Sequence, residues 1–133
     1  MDFSAPIPIL RIFDEEKARE FYIGFLGFSV DWEHRFGPDF PIYMQLHISN
    51  AVIHLSEHFG DATPGSAIRI ICEDVDGFCA GLRAKAYKNA RPGVEATPWG
   101  TRETPISDPF GNRLIFATPK GAGQQTATSA GAQ

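Results

Sequence analysis

The chain has 133 residues, of which 43% are hydrophobic and 21% are charged, as expected for a globular domain. Its formal net charge of −4 argues against a nucleic-acid-binding protein, which would carry clustered Lys and Arg. No apolar run approaches the roughly 18 residues that span a bilayer, and no signal peptide is recognisable. Two cysteines are too few for a disulfide-stapled secreted domain, so the composition predicts a cytoplasmic protein without nucleic-acid or membrane partners.

The chain begins with a predicted strand followed by an amphipathic helix. Residues 6–13 are apolar and β-branched apart from Arg11, which is typical of a strand, although the prolines within it limit its pairing. Asp14 is a good N-cap for a helix, and Gly27 is a good stop. Between them, apolar residues repeat at helical spacing and predict one buried face: Ala18, Phe21, Tyr22, Phe25 and Leu26.

Three strands are predicted after this helix. Residues 28–36 alternate with a period of two, and one face is expected to carry Phe28, Val30, Trp32, His34 and Phe36. Residues 41–48 and 51–57 form two further strands, joined by a short hairpin turn at Ser49 and Asn50. The first half therefore reads strand, helix, strand, strand, strand.

The same order repeats after a polar loop at residues 58–65. Residues 66–72 predict a strand, and Asp74 begins a helix with Val75, Phe78, Cys79 and Leu82 on its apolar face. Strands follow near residues 94–98, 102–107 and 113–118, and a tight turn at residues 108–112 joins the last two. The helix starts at Asp14 and Asp74 lie about 60 residues apart, which indicates a duplicated supersecondary unit.

The predicted architecture is α+β, with two βαβββ modules at about residues 5–58 and 66–119. Together they are expected to form a single domain over residues 1–120. Residues 121–133 contain no large apolar side chain, so this C-terminal tail is predicted to be disordered.

Short motifs in both halves resemble the glyoxalase and bleomycin resistance superfamily, also called vicinal oxygen chelate proteins. They are Pro-Ile-Pro-Ile-Leu at residues 6–10, Leu-Gly-Phe-Ser at 26–29, Pro-Trp-Gly at 98–100 before Arg102 and Glu103, and Asp-Pro-Phe-Gly-Asn at 108–112. The resemblance covers nearly all of residues 5–119 and is strongest to the bleomycin resistance type. It implies curved mixed sheets that form a cleft, and a homodimer in which a drug lies between subunits.

Many enzymes of this superfamily hold a divalent metal with His and Glu from the first and last strand of each half. The resemblance places those positions near Ile7, His54, Ile68 and Ile115. Isoleucine has no lone pair to donate, so no metal and no other cofactor is predicted. No catalytic residue is predicted either, because no nucleophile–base arrangement stands out. The alternative is a metal-dependent lyase or dioxygenase with an atypical site, built from His34, His54 and His58.

A cleft without metal predicts recognition through aromatic side chains, as in the bleomycin resistance proteins. The sequence favours equally a core position and a ligand contact for Trp32. Trp99 lies in a loop-like setting that favours a ligand contact. Arg69 favours an anionic ligand over a cationic one. The predicted ligand-binding residues are Trp32, Phe36, His54, Phe59, Arg69, Trp99, Arg102 and Phe110.

Three functional hypotheses follow. The first is a metal-free, dimeric binding protein that sequesters a bleomycin-type drug or another aromatic or amphipathic compound. The second is the atypical metal-dependent enzyme. The third is a structural or regulatory protein whose cleft has lost its ligand, which the sequence does not distinguish from the first.

Overall fold

The computed structural model describes residues 1–120, so the predicted disordered tail lies outside the described residues. Contacts divide the chain into two compact units. The first contains Met1–Ser66 together with Asp108–Asn112, and the second contains Ala67–Ser107 and the described residues from Arg113 onwards. Each unit has a four-stranded mixed sheet and a helix, in the order strand, helix, strand, strand, strand. The α+β prediction of two βαβββ modules is confirmed.

The first helix begins where the acidic run predicts it. The side chain of Asp14 accepts a hydrogen bond from the backbone N–H of Lys17, and helix α1 spans Glu15–Ala18. A π-helix continues from Arg19–Phe25 and ends before Gly27, which adopts a left-handed φ of 94°. The side chains of the predicted apolar face are all buried: Ala18, Phe21, Tyr22, Phe25 and Leu26. The periodicity located the helix, although it did not reveal the wider π turns.

The first sheet has the strand order β1-β4-β3-β2. Its strands are β1 at Ile9–Arg11, β2 at Ser29–His34, β3 at Tyr43–Ile48 and β4 at Ala51–Ser56. β1 pairs with β4 in parallel, and the other pairs are antiparallel. β1 is shorter than the predicted strand because Pro6 and Pro8 have no N–H to donate, although the carbonyl of Pro8 accepts from the N–H of His54 at 2.9 Å.

A bulge in β2 corrects the predicted alternation of residues 28–36. The pairing with β3 shifts register between Val30 and Trp32, so Asp31 is an extra residue in the ladder. Phe28, before the bulge, is buried at 2% exposure, whereas Trp32, after it, is 44% exposed. The expectation that Phe28 and Trp32 share one face is therefore wrong, because a single inserted residue reverses the pattern.

The second sheet has the strand order β5-β8-β7-β6. Its elements are β5 at Ala67–Ile71, α2 at Val75–Ala84, β6 at Glu95–Ala96, β7 at Arg102–Ser107 and β8 at Arg113–Thr118. Asp74 caps α2 by accepting from the N–H of Gly77, as Asp14 caps α1. β6 is shorter than predicted because the N–H of Thr97 bonds the carbonyl of Thr101 at 2.8 Å and closes a turn.

The predicted tight turn at residues 108–112 packs within the first unit. The carboxylate of Asp108 accepts hydrogen bonds from the N–H groups of Phe110 and Asn112, each at 2.8 Å, and from the hydroxyl of Tyr22 at 2.6 Å. The amide of Asn112 donates to the carbonyl of Arg11 at 2.9 Å. A turn that is distant along the chain thus completes the first unit. Among residues 1–120, no helix has the length and apolarity needed to cross a membrane.

Candidate functional site

One side of the first sheet is buried and the other is open. Met44, Leu46 and Leu55 point to the buried side and have no exposed surface. The alternate residues of β3 and β4 point the other way, and Tyr43, Gln45, His47 and His54 among them are partly exposed. We call this side the open face, and it carries Ile9, Trp32, Tyr43, Gln45, His47 and His54.

Three rings form an aromatic cluster on the open face. The indole of Trp32 stacks on the phenol of Tyr43 with ring centroids 6.0 Å apart and an interplanar angle of 10°. The imidazole of His54 lies edge-on to both rings, at 5.3 Å from Trp32 and 5.1 Å from Tyr43. The structure thus brings together two predicted site residues, Trp32 and His54, around a tyrosine that the sequence reasoning missed.

Phe36 extends the aromatic surface beyond β2. Its exposed ring meets His34 at 4.7 Å and His58 at 6.1 Å, both in edge-on geometry. The ring of His58 lies 6.5 Å from that of Tyr43. Phe36 therefore joins the cluster through His58, and histidines alternate with carbocyclic rings along this surface.

Hydrogen bonds connect five side chains in what we call the polar row. The hydroxyl of Tyr43 lies 2.6 Å from Nδ1 of His54, and Nε2 of His54 lies 2.9 Å from Oε1 of Gln45. Nε2 of Gln45 donates to Oδ2 of Asp31 at 3.0 Å, and Nδ1 of His47 meets Oδ1 of Asp31 at 2.7 Å. The β2 bulge places Asp31 within reach of this row. The regular alternation of Tyr43, Gln45 and His47 along β3 was the signal that could have found it.

Electrostatics favour a neutral imidazole and a charged carboxylate within this row. Burial lowers the pKa of His54 from its ordinary value. The hydrogen bond from Gln45 is the largest cause that lowers the pKa of Asp31, and His47 lowers it further. Near neutral pH, the open face therefore presents one carboxylate beside an uncharged aromatic cluster.

The strand register refines the expected metal positions. Ile9, and not Ile7, lies opposite His54, while Arg69, and not Ile68, lies opposite Ile115. Both ring nitrogens of His54 already have hydrogen-bond partners. In the described part of the chain, no group of three or more His, Cys, Asp or Glu side chains is placed to hold a metal ion.

In the second unit, a charged cluster surrounds Glu103 on β7. Its carboxylate accepts from Arg69 at 2.5 Å and from the hydroxyl of Thr101 at 2.7 Å. Arg69 is the main cause of a lowered pKa for Glu103, with contributions from Thr101 and the indole of Trp99. Trp99 is otherwise 68% exposed. Arg69 therefore carries its positive charge beside the negative charge of Glu103, and its role in selecting an anionic ligand stays a prediction.

Three other predicted site residues lie apart from these clusters. Arg102 makes a two-pronged ion pair with Asp76 of α2, with both distances at 2.7 Å, so it points away from the side on which Glu103 meets Arg69. Phe59 is 95% exposed in the loop after β4. Phe110 packs on Phe13, with centroids 6.2 Å apart. Within the first unit, the structure does not join Phe59 or Phe110 to the aromatic cluster.

A separate cavity of about 430 Å³ lies in the first unit, with Arg11, Phe13, Arg35 and Phe40 among its lining residues. Arg35 pairs with the carboxylate of Glu15 and also donates to the carbonyl of Phe40 at 3.1 Å. Arg11 stacks over Phe13 at 4.6 Å and donates to the carbonyl of His58 at 3.1 Å. These contacts hold the loop after β2 against the start of α1.

A family model described as "Glyoxalase superfamily protein" matches residues 1–123. The chain belongs to the glyoxalase superfamily. The resemblance of its motifs is thereby confirmed, and the two βαβββ units are the fold of this superfamily. The search of curated proteins found no match.

Several solved structures are similar to this chain over most of its length. TnmS3, an antibiotic binding protein from Streptomyces sp. CB03234, is 26% identical with a TM-score of 0.69, and the match covers 90% of this chain and 99% of that one. A glyoxalase/bleomycin resistance protein from the same organism is 26% identical with a TM-score of 0.60, over 84% and 98% of the two chains. A bleomycin-binding protein complexed with bleomycin shares the fold at 18% identity and a TM-score of 0.70, over 89% and 100%.

Proposed function

We propose that this member of the glyoxalase superfamily is a metal-free binding protein that sequesters a small aromatic or amphipathic compound, such as a bleomycin-type drug. The observation that carries the proposal is the aromatic cluster on the open face, where Trp32 remains 44% exposed. A large indole left half-exposed on a sheet face is a ready surface for a flat ligand. The antibiotic-binding role of TnmS3 supports the same function.

Stacking energetics make this function physically reasonable. An aromatic pair contributes about 0.5–1.5 kcal/mol beyond the area that it buries, and a cation near a ring adds a comparable amount. Trp32 and Tyr43 offer two rings that already lie nearly parallel, so they lose little freedom when a ligand binds. The carboxylate of Asp31 lies on the same face and suits a ligand with a hydrogen-bond donor or positive group.

We propose further that the protein acts as a homodimer. Edge strands β1 and β2 of the first sheet have unpaired backbone groups, and Ile7, Ile9 and Ile71 are exposed apolar side chains. A second copy would cover such surfaces. Sedimentation equilibrium tests this, and a monomer at all concentrations would exclude the dimer while leaving ligand binding to be measured separately.

Fluorescence titration tests the binding function, because the chain has only two tryptophans. Trp99→Phe leaves Trp32 as the sole indole reporter. We expect bleomycin or a flat polycyclic compound to change its emission saturably. Trp32→Ala removes this reporter, so its binding is measured by calorimetric titration, and it should be weaker by about tenfold, the equivalent of about 1.4 kcal/mol.

Phe3→Leu provides the matched control, since Phe3 is another exposed aromatic residue and lies outside the cluster. It should bind as the unmodified protein does. If no compound of either kind gives a saturable change, the proposed function is wrong. Equal weakening by Phe3→Leu and Trp32→Ala would place the ligand elsewhere.

A further inference from the structure

The polar row has a definite direction because one of its members only accepts hydrogen bonds. The charged carboxylate of Asp31 requires the amide nitrogen of Gln45 to face it, which leaves Oε1 of Gln45 toward His54. Oε1 also only accepts, so Nε2 of His54 must carry the proton. In the neutral imidazole, Nδ1 is then a bare acceptor, and the hydroxyl of Tyr43 must donate to it.

This direction decides what Tyr43 offers to a ligand. A phenolic hydroxyl has one proton, and here that proton is used in the bond to His54. The outward side of the oxygen therefore presents lone pairs. Burial and the charge of Asp61 raise the pKa of Tyr43, so the hydroxyl stays protonated near neutral pH and this arrangement is retained.

We propose that the polar row sets the hydrogen-bond selectivity of the open face. While His54 is neutral, the hydroxyl of Tyr43 accepts hydrogen bonds from donor-bearing aromatic ligands. When His54 is protonated, the same hydroxyl becomes a donor. In the protonated imidazole both nitrogens carry hydrogen, so Nδ1 must donate to the oxygen of Tyr43. The hydroxyl proton of Tyr43 then rotates outward. The open face then prefers ethers and carbonyl compounds, which accept a hydrogen bond, over phenols, which donate one. The inference rests on the proposed binding function.

The surroundings of His54 determine where this exchange occurs. From β1 the neighbour on the open face is the apolar Ile9, followed by Arg11, which is engaged with the carbonyl of His58. From β3 the neighbours are Tyr43 and Gln45. Asp31 and His47 lie one and two hydrogen bonds further along the row. His58 and Asp61 lie in the loop after β4, and His34 contacts the cluster through the ring of Phe36.

The lowered pKa of His54 agrees with a neutral ring at neutral pH. On acidification, the imidazole of His54 should gain a proton at a pH below the usual histidine pKa of about 6.5. The hydrogen bond between His54 and Tyr43 should then reverse its direction. Because three other histidines, His34, His47 and His58, lie along the same surface, the test must isolate His54 by substitution.

Calorimetric titration with 2-naphthol and 2-methoxynaphthalene tests the selectivity, since the two flat probes differ in having a donor or only an acceptor. At about pH 7.5 we expect 2-naphthol to bind about tenfold more tightly, the value of one satisfied hydrogen bond. Tyr43→Phe keeps the ring and removes the hydroxyl, so it should bind both probes alike. At about pH 5 the preference of the unmodified protein should collapse or reverse.

His54→Gln separates His54 from the other histidines, because glutamine does not titrate and should keep one preference at both pH values. If the pH effect persists in His54→Gln, or if the preference persists in Tyr43→Phe, the inference is wrong. Long-range ¹H–¹⁵N spectra of the free protein provide a ligand-independent measurement. They should show the neutral His54 ring protonated on Nε2, and protonation on Nδ1 would overturn the inference by itself.

The two proposals fail in different ways. If neither naphthalene nor bleomycin binds while the spectra show protonation on Nε2, the binding function is wrong and the selectivity falls with it. If the probes bind through Trp32 without discrimination between hydroxyl and methoxy groups, the binding function stands and the role of the polar row is refuted.

Discussion

Tyr22 shows at the scale of one residue how a buried polar group is made tolerable. Its side chain has no exposed surface, and its hydroxyl donates to Oδ2 of Asp108 at 2.6 Å. Removing the hydroxyl deprives a buried carboxylate of one donor. We expect Tyr22→Phe to lower the free energy of unfolding by about 1–3 kcal/mol in urea titrations. Tyr43→Phe, which removes a half-buried hydroxyl, should cost less, and the opposite ranking would contradict this assignment.

The buried hydroxyl of Tyr22 should also make the stability of the folded protein sensitive to alkali. Burial, followed by the charge of Asp108, raises the pKa of Tyr22 far above its ordinary value. In the unfolded chain Tyr ionises near pH 10, whereas the folded protein keeps the proton. The contribution of Tyr22 is therefore complete below about pH 10 and is lost as the pH rises further. Unfolding free energies measured from about pH 8 to 11 should fall less steeply in Tyr22→Phe than in the unmodified protein. Equal slopes would contradict this account.

At the scale of elements, the two helix starts can be compared directly. Asp14 and Asp74 each accept from the N–H three residues later, at 3.0 Å in both cases. Replacing an Asp N-cap by Ala costs about 1 kcal/mol. We expect Asp14→Ala and Asp74→Ala each to lower the unfolding free energy by about this amount, while Asp→Ser retains most of it. A negligible effect of either alanine variant would show that the cap contributes little in that unit.

The β2 bulge makes a prediction about deletions. Val30 pairs with Leu46 and Trp32 with Gln45, so removal of Asp31 leaves a regular ladder with Trp32 still on the open face. Removal of Glu33 instead turns the residues that follow it in β2 to the opposite side of the sheet, and it breaks the ion pair with Arg19. Thermal unfolding should show the Asp31 deletion as the milder change by at least about 1 kcal/mol. Equal destabilisation would mean that the bulge is required for folding.

At the scale of the whole molecule, the turn at Asp108–Asn112 belongs to a unit assembled mainly from the first half of the chain. Asn112 is fully buried, donates to the carbonyl of Arg11 and accepts from the N–H of Ser66 at 3.2 Å. We expect Asn112→Ala to cost about 1–3 kcal/mol and to speed hydrogen exchange at Ser66. The exposed Asn89→Ala is the control. Unchanged exchange at Ser66 would contradict the structural role of the turn.

Much of the fold could be predicted from local patterns. The buried helix face from Ala18 to Leu26, both aspartate caps and the bounds of β7 and β8 follow from spacing and residue type. The candidate site was predicted less completely. Trp32 and His54 of the aromatic cluster were among the predicted site residues, whereas Tyr43, Gln45 and Asp31 were not, because their contacts depend on the register of β3 against β2 and β4.

The amino-acid sequence by itself determined the duplicated βαβββ order, because periodicity and capping act over a few residues and need no distant partner. Only the tertiary structure decided that Trp32 faces outward, that Arg69 is neutralised by Glu103, and that Tyr43, His54, Gln45 and Asp31 form one directed row. The physical reason is that a bulge and cross-strand hydrogen bonds depend on strand register, which arises only when separate segments pair.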